Sequence, residues 1–316
     1  MFKRYPLRLN DRIHLIDGYD LGIPERTGTY VIKEEQVTIV ETGPSPSIEH
    51  VKRGLEKLGI ALEQIEYIIV THVHLDHAGG AGLLLQDCPN AKVVVHPKGA
   101  RHLSDPKRLV AGAKAVYTER FSELFEPIVP IPEDRILSMG ESDQLKIGPH
   151  CTLEFLDTPG HSNHHFSIFD PISHGVFAGD TVGIRYEQLV DEGIDLFLPS
   201  TSPNQFDPIA MHHAIERLRA MELAAIYYGH FGMTTKPNAA LNQVSEWIPI
   251  FLDQAKAAVA EGEGADMLAK RLYELVVEKL RAKGVRDEHE VYALIELDLQ
   301  VSAMGLVDYL GKARNV

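Results

Sequence analysis

Four times along this chain a short apolar run stops on a histidine or an aspartate, and no other feature of the sequence restricts the fold so strongly. Ile68-Ile69-Val70 leads into THVHLDHAGG at 71–80; the run from Leu153 to Leu156 leads into Thr158-Pro159-Gly160-His161; Gly175 to Ala178 stops at Gly179-Asp180; Leu223 to Tyr228 stops at Gly229-His230. Apolar runs of this length bounded by glycine and polar residues read as buried strands. Two β-sheets packed face to face, with helices outside, would gather such strand ends along one edge.

The rest of the pattern agrees. Arg12 to Asp17, Thr29 to Lys33 and Val37 to Glu41 read as strands, and a helix entered at Pro46 carries Val51, Leu55 and Leu58 before Gly59 stops it. A strand from Tyr67 to Val70 delivers the histidine motif. Strands at Phe166 to Phe169 and Gly175 to Ala178 follow, then a helix capped by Asp207 and opened by Pro208, then a strand ending at His230. Each half is thus a strand pair, a helix and a strand that ends in histidine, which we read as a structural duplication. Residues 97–135 form an insertion with a helical segment from Leu109 to Phe125, and 238–316 read as helices broken at Pro249 and Gly284. The expected organisation is a catalytic domain over 1–237 with a helical C-terminal extension over 238–316 packed on it.

Side chains alternate along an extended chain, so His72 and His74 point the same way and can grip one ion, while Asp76 and His77 lie where the chain turns. Imidazole with carboxylate suits Zn²⁺, with Fe and Mn as competitors. His161, Asp180 and His230 occupy the same strand-end setting and complete a set of candidate ligands.

In this order and spacing, THVHLDHAGG, TPGHS, AGD and YGH resemble the metallo-β-lactamase superfamily and its αββα sandwich, over about residues 10–235. The resemblance implies that His72, His74 and His161 bind one metal, that Asp76, His77 and His230 bind a second, and that Asp180 bridges them. It implies two divalent metal ions, Zn²⁺ first among them, and hydrolysis of a lactone, thioester or other ester-like bond by a metal-bridging hydroxide. By the same resemblance Asp76 and Asp180 would be the catalytic residues, Asp76 also passing a proton to the leaving group.

Departures narrow the family. Asp180 disfavours an antibiotic-hydrolysing β-lactamase, His74 replaces the glutamate of flavodiiron proteins, and what remains resembles glyoxalase II and the acyl-homoserine lactonases. The tyrosine that those lactonases carry three residues past the bridging aspartate is Gly183 here, with Tyr186 nearby as a substitute. Two alternatives stay open. One is a mononuclear-iron persulfide dioxygenase-like enzyme using His72, His161 and Asp180, with Arg185 five places after the aspartate; surface solvation is the simpler account of that arginine. The other is a non-catalytic metal-binding member of the fold.

Specificity is expected from loops. Tyr117 and Phe121 of the insertion are candidate pocket lining, as are Tyr186 and the Ile194, Leu196, Phe197, Leu198 stretch, with Tyr186 and Phe197 as candidate substrate contacts. His164 and His165 read as strand-start packing, and His96, His102, His212 and His213 as structural or solvated.

Charge and composition bound the partners. With 31 basic against 45 acidic residues the net charge is −14, which opposes nucleic acid and leaves a small-molecule substrate. No run of about 18 apolar residues predicts a membrane span, and MFKRYPLRLNDRIHLID has no signal-peptide core. The two cysteines, Cys88 and Cys151, form no disulfide framework and read as buried thiols of a cytoplasmic protein. The apolar tail hints at a homodimer.

Overall fold

A computed structural model describes residues 6–313. The chain divides into two compact units. The first runs to Asp157 and adds His164–Gly179 and Leu223–Thr235; the second comprises Thr158–Asn163, Asp180–Glu222 and the chain from Lys236 onward.

Unit one holds both large sheets. The seven-stranded sheet follows chain order: Leu7–Arg8, Ile13–Asp17, Gly28–Ile32, Val37–Val40, Ile65–Ile69, Lys92–Val95 and Ile136–Ser138. Its first four strands pair antiparallel and the rest parallel. The six-stranded sheet orders Met233–Thr234, Ala225–Tyr227, Gly175–Phe177, Phe166–Asp170, Thr152–Asp157 and Gln144–Lys146. The two-residue period decides which layer each side chain joins. Tyr30, Ile32, Val40, Ile69 and Val94 pack with Phe155, Phe166, Ile168, Phe177 and Tyr227 between the sheets. Their neighbours Val31, Ile39, Ile68, Val93 and Val95 face the other way, onto Ile48, Val51 and Leu55 of the helix Ile48–Lys57 and Leu84 and Leu85 of Ala81–Asp87. The sheets therefore lie face to face with helices outside, the expected αββα arrangement.

The strands Lys92–Val95, Ile136–Ser138 and Gln144–Lys146 add to those expected. The insertion is three helices, Pro97–Ser104, Lys107–Tyr117 and Phe121–Phe125, because Thr118 takes a left-handed φ of 49° between the last two.

Unit two contains the helix Pro208–Ala220, a ladder of Ile184–Arg185 with Phe197–Leu198, and the helices Pro237–Ala260, Ala265–Ala282 and Val291–Ala313. The Asp207 carboxylate accepts the Ile209 and Ala210 N–H groups at 2.9 and 3.0 Å, the cap that the Asp207-Pro208 pair predicts. The expected break at Pro249 does not occur; the proline sits inside Pro237–Ala260. An interior proline costs about 3 kcal/mol. Burial of Leu241, Val244, Trp247, Ile248 and Phe251 along the same helix exceeds that cost. The break near Gly284 does occur, after the helix ends at Ala282. Among the described residues no helix is long and apolar enough to cross a membrane.

Candidate metal centre

Ile65–Ile69 is an interior strand, paired in parallel with Val37–Val40 and Lys92–Val95. The chain leaves its carboxyl end through Thr71 and His72, stays extended at His74 and turns at once into the short helix Leu75–Ala78. That geometry fans the side chains. The His72 ring lies 4.6 Å from His74 and 4.2 Å from His77, centroid to centroid. His72 and His77 are buried, and His74 and Asp76 are partly exposed.

The Ala225–Tyr227 strand delivers His230 to the same place in unit one. Asp76 Oδ2 lies 3.7 Å from His77 Nε2 and 3.6 Å from His230 Nε2. Both exceed hydrogen-bond length. Two donors about 2.0–2.1 Å from a tetrahedral ion stand roughly 3.3 Å apart, so this spacing suits a shared cation better than direct bonding. One ligand atom from each of Asp76, His77 and His230 lies within 4.8 Å of the other two. Two imidazoles and a carboxylate at such distances fit a divalent metal.

Surrounding groups hold these ligands. Glu41, buried at the end of Val37–Val40, places Oε2 3.3 Å from His77 Nδ1 and accepts the Thr71 N–H through Oε1 at 3.0 Å. The Thr71 hydroxyl lies 3.0 Å from His72 Nδ1. Asp20 is paired with Arg26 (Nε to Oδ2, 3.2 Å). Burial pushes the Asp20 carboxyl above the usual carboxylate range, the Arg26 guanidinium opposes this, and the charge of Asp76 adds to it. Glu41 obeys the strand-end rule that marks the ligands, so that signal could have found it; Asp20 and Arg26 carry no comparable mark.

In unit two, His161 and Asp180 come together, with His161 Nε2 3.6 Å from Asp180 Oδ2. His161 Nδ1 is 3.0 Å from the Ser200 carbonyl, and the Ser200 hydroxyl donates to Asp180 Oδ2 at 3.0 Å. Unit one thus carries five of the seven sequence-nominated ligands, and unit two the other two.

Other expectations change. Gly183 has a φ of +78°, and a Cβ there would meet the Leu198 carbonyl oxygen at 2.2 Å, so the lactonase tyrosine has no room at this position. Tyr186 is buried and its hydroxyl donates to Asp298 Oδ2 at 3.0 Å. Phe197 is buried in the two-stranded ladder, and its N–H donates to Gln243. Arg185 is not a solvated surface group: it is 7% exposed and paired with Glu187. Phe121 is core, packed with Leu75, Leu124 and Phe125, while Tyr117 lies half-buried against Phe125.

His164 and His165 are buried beside the motif, their rings 6.3 and 5.1 Å from that of His72. His164 Nδ1 accepts the Val73 N–H at 3.5 Å. His96 is buried against Asp157 at 3.2 Å, whereas His212 and His213 are exposed on their helix.

The family model for the metallo-beta-lactamase superfamily matches residues 24–230. A metallo-beta-lactamase fold-containing protein, ST1585 of Sulfurisphaera tokodaii, is 24% identical over 71% of this chain and 79% of its own length. A hydroxyacylglutathione hydrolase of Aeromonas salmonicida is 23% identical over 66% of this chain and 64% of its own. Among solved structures, the metallo-beta-lactamase family protein TTHA1429 of Thermus thermophilus superposes with a TM-score of 0.70 at 17% identity, covering 97% of this chain and 95% of that one.

Proposed function

Because the chain belongs to the metallo-beta-lactamase superfamily, we propose that it is a metal-dependent hydrolase in which His72, His74, Asp76, His77, His161, Asp180 and His230 hold two divalent cations. The reading places Zn²⁺ first among them and an ester-like bond, a lactone or a thioester, as the target. The observation that carries it is the group of Asp76, His77 and His230, a complete donor set for a cation beyond the one that His72, His74 and His161 would bind. Bound cations of this kind supply Lewis acidity and lower the pKa of a water toward about 7.

The chain's own residues divide the remaining work. Glu41 and the Ser200 carbonyl face the Nδ1 atoms of His77 and His161, which leaves each Nε2 for ligation. Asp76 is 26% exposed where His77 is 1% and His230 6%, so it is the carboxylate of that group able to meet a leaving group and pass it a proton. The thioester option draws on similarity to hydroxyacylglutathione hydrolases. The mononuclear-iron alternative leaves the Asp76, His77 and His230 group without a task, and the Arg185 it invokes is occupied by Glu187.

Elemental mass spectrometry on protein expressed without added metal salts tests this reading. About two equivalents of zinc per chain, followed by turnover on a lactone, thioester and phosphodiester panel that chelation abolishes, is the expected result. One equivalent of iron with oxygen consumption would transfer the assignment to the dioxygenase. Two bound metals with no turnover on any substrate would leave a binding protein.

A further inference from the structure

We propose that Ser200 is a positioning residue for metal ligation, holding His161 through its carbonyl and Asp180 through its hydroxyl. The inference rests on the metal-centre reading above and adds a residue that lies outside all four strand-end motifs.

The geometry separates the two tasks. A carbonyl oxygen can only accept, so the 3.0 Å approach of His161 Nδ1 to the Ser200 oxygen places the proton on Nδ1. That tautomer presents the Nε2 lone pair toward Asp180, 3.6 Å away. The Ser200 hydroxyl donates to Asp180 Oδ2, fixing the rotation of a carboxylate that is itself 2% exposed. One backbone position therefore sets the tautomer of one ligand and the orientation of another. Metal-binding histidines and carboxylates need such outer partners, and losing one costs about 10–100-fold in metal affinity.

Ser200 is in turn held by its neighbours. Thr201 donates its hydroxyl to the Ser302 carbonyl at 2.7 Å, tying the loop to the helix Val291–Ala313. This gives the C-terminal helices a task in the site: they fix the loop from which Ser200 reaches both ligands.

Ser200→Ala removes the hydroxyl and keeps the carbonyl, so it isolates the Asp180 contact. Metal-free wild type, Ser200→Ala and Thr201→Ala would be titrated with Co²⁺ against a competing chelator, following the visible absorption bands. In Ser200→Ala, one equivalent should weaken by about 10–100-fold with altered bands, while the metal-free protein still unfolds cooperatively, no more than about 6 °C below wild type. Thr201→Ala, which loosens the loop but keeps both Ser200 contacts, should lose clearly less affinity than Ser200→Ala; Ser200→Gly serves if the alanine variant does not fold. Titrations of Ser200→Ala and wild type that superimpose overturn the inference, as does an equal loss in Thr201→Ala, because the effect would then belong to the loop. Wild type that takes up no cobalt would overturn the metal-centre reading itself, before any variant is compared.

Discussion

Gly305 lies against the backbone of Thr201 so closely that a Cβ on it would meet the Thr201 carbonyl oxygen at 2.5 Å. Backbone cannot move aside as a flexible side chain can, so helix and loop would have to separate. Gly305→Ala should destabilise the protein by about 1–3 kcal/mol. Gly112, exposed inside Lys107–Tyr117 with nothing within 4 Å of its would-be Cβ, gives the contrasting case. Gly112→Ala should stabilise by roughly 0.5–1 kcal/mol, since alanine is the better helix former. Urea unfolding of both variants checks the pair, and equal effects of the same sign would contradict the close approach.

Asp17 makes stability fall as pH rises through mild acid. Its carboxylate is buried and accepts the N–H groups of Tyr19 and Glu25, each at 2.9 Å. Burial outweighs these bonds and pushes the carboxyl up to about 6, against about 3.9 in an unfolded chain. Between those values the folded state binds more protons than the unfolded one, so this group's contribution declines from about pH 4 to about pH 6, by on the order of 2–3 kcal/mol. Asp17→Asn should remove that slope while adding a pH-independent loss from the surrendered acceptor. The wild-type minus variant difference in unfolding free energy, measured at several pH values across this window, should change with pH; a constant difference would exclude the linkage.

What could be read from the sequence depended on how locally each feature is determined. The strands around Tyr30, Val40, Ile69 and Phe166 were legible because their apolar residues are continuous and their limits are marked by glycine or polar residues. Asp207-Pro208 was legible because a cap and its proline act within one turn. Pro249 reads as a break because its penalty is local, whereas the burial of Trp247 and Phe251 that outweighs it depends on partners far along the chain, which no short window contains. Five of the nominated ligands were found to share one unit because strand ends are a topological rule, and Glu41 obeys the same rule unnoticed. Ser200 could not be read, since half of its role belongs to a backbone carbonyl that every residue has. Arg185 is illegible for a related reason: its partner Glu187 looks like any loop acid until the chain folds.

The two thiols should be silent in the folded protein. Cys88 and Cys151 are free and buried, and burial pushes both up to about 12, with Asp87 adding to the effect at Cys88 and Asp170 at Cys151. At pH 8 the thiolate fraction is then about one part in ten thousand. A disulfide reagent such as DTNB should find essentially no reactive thiol in native protein and both thiols after unfolding in guanidinium. Fast reaction of either cysteine in native protein would show that its surroundings open readily.

Glu41 should separate fold from metal binding. It serves two donors, the Thr71 N–H at 3.0 Å and His77 Nδ1 at 3.3 Å, and a carboxylate has an acceptor for each. Glutamine has only one acceptor oxygen. If that oxygen keeps Thr71, the amide NH₂ faces His77 and drives its proton to Nε2, the atom needed for ligation; if the amide flips, Thr71 faces a donor instead. Glu41→Gln should therefore weaken uptake at the Asp76, His77 and His230 group by about 10–100-fold. Its metal-free stability should fall by no more than about 1 kcal/mol, as expected for one exchanged hydrogen bond. Glu41→Ala abandons both donors in a buried place and should cost about 1–3 kcal/mol even without metal. Cobalt titration alongside urea unfolding of the metal-free forms distinguishes the two effects. A Glu41→Gln variant that binds both equivalents like wild type would show that His77 does not depend on this carboxylate for its tautomer.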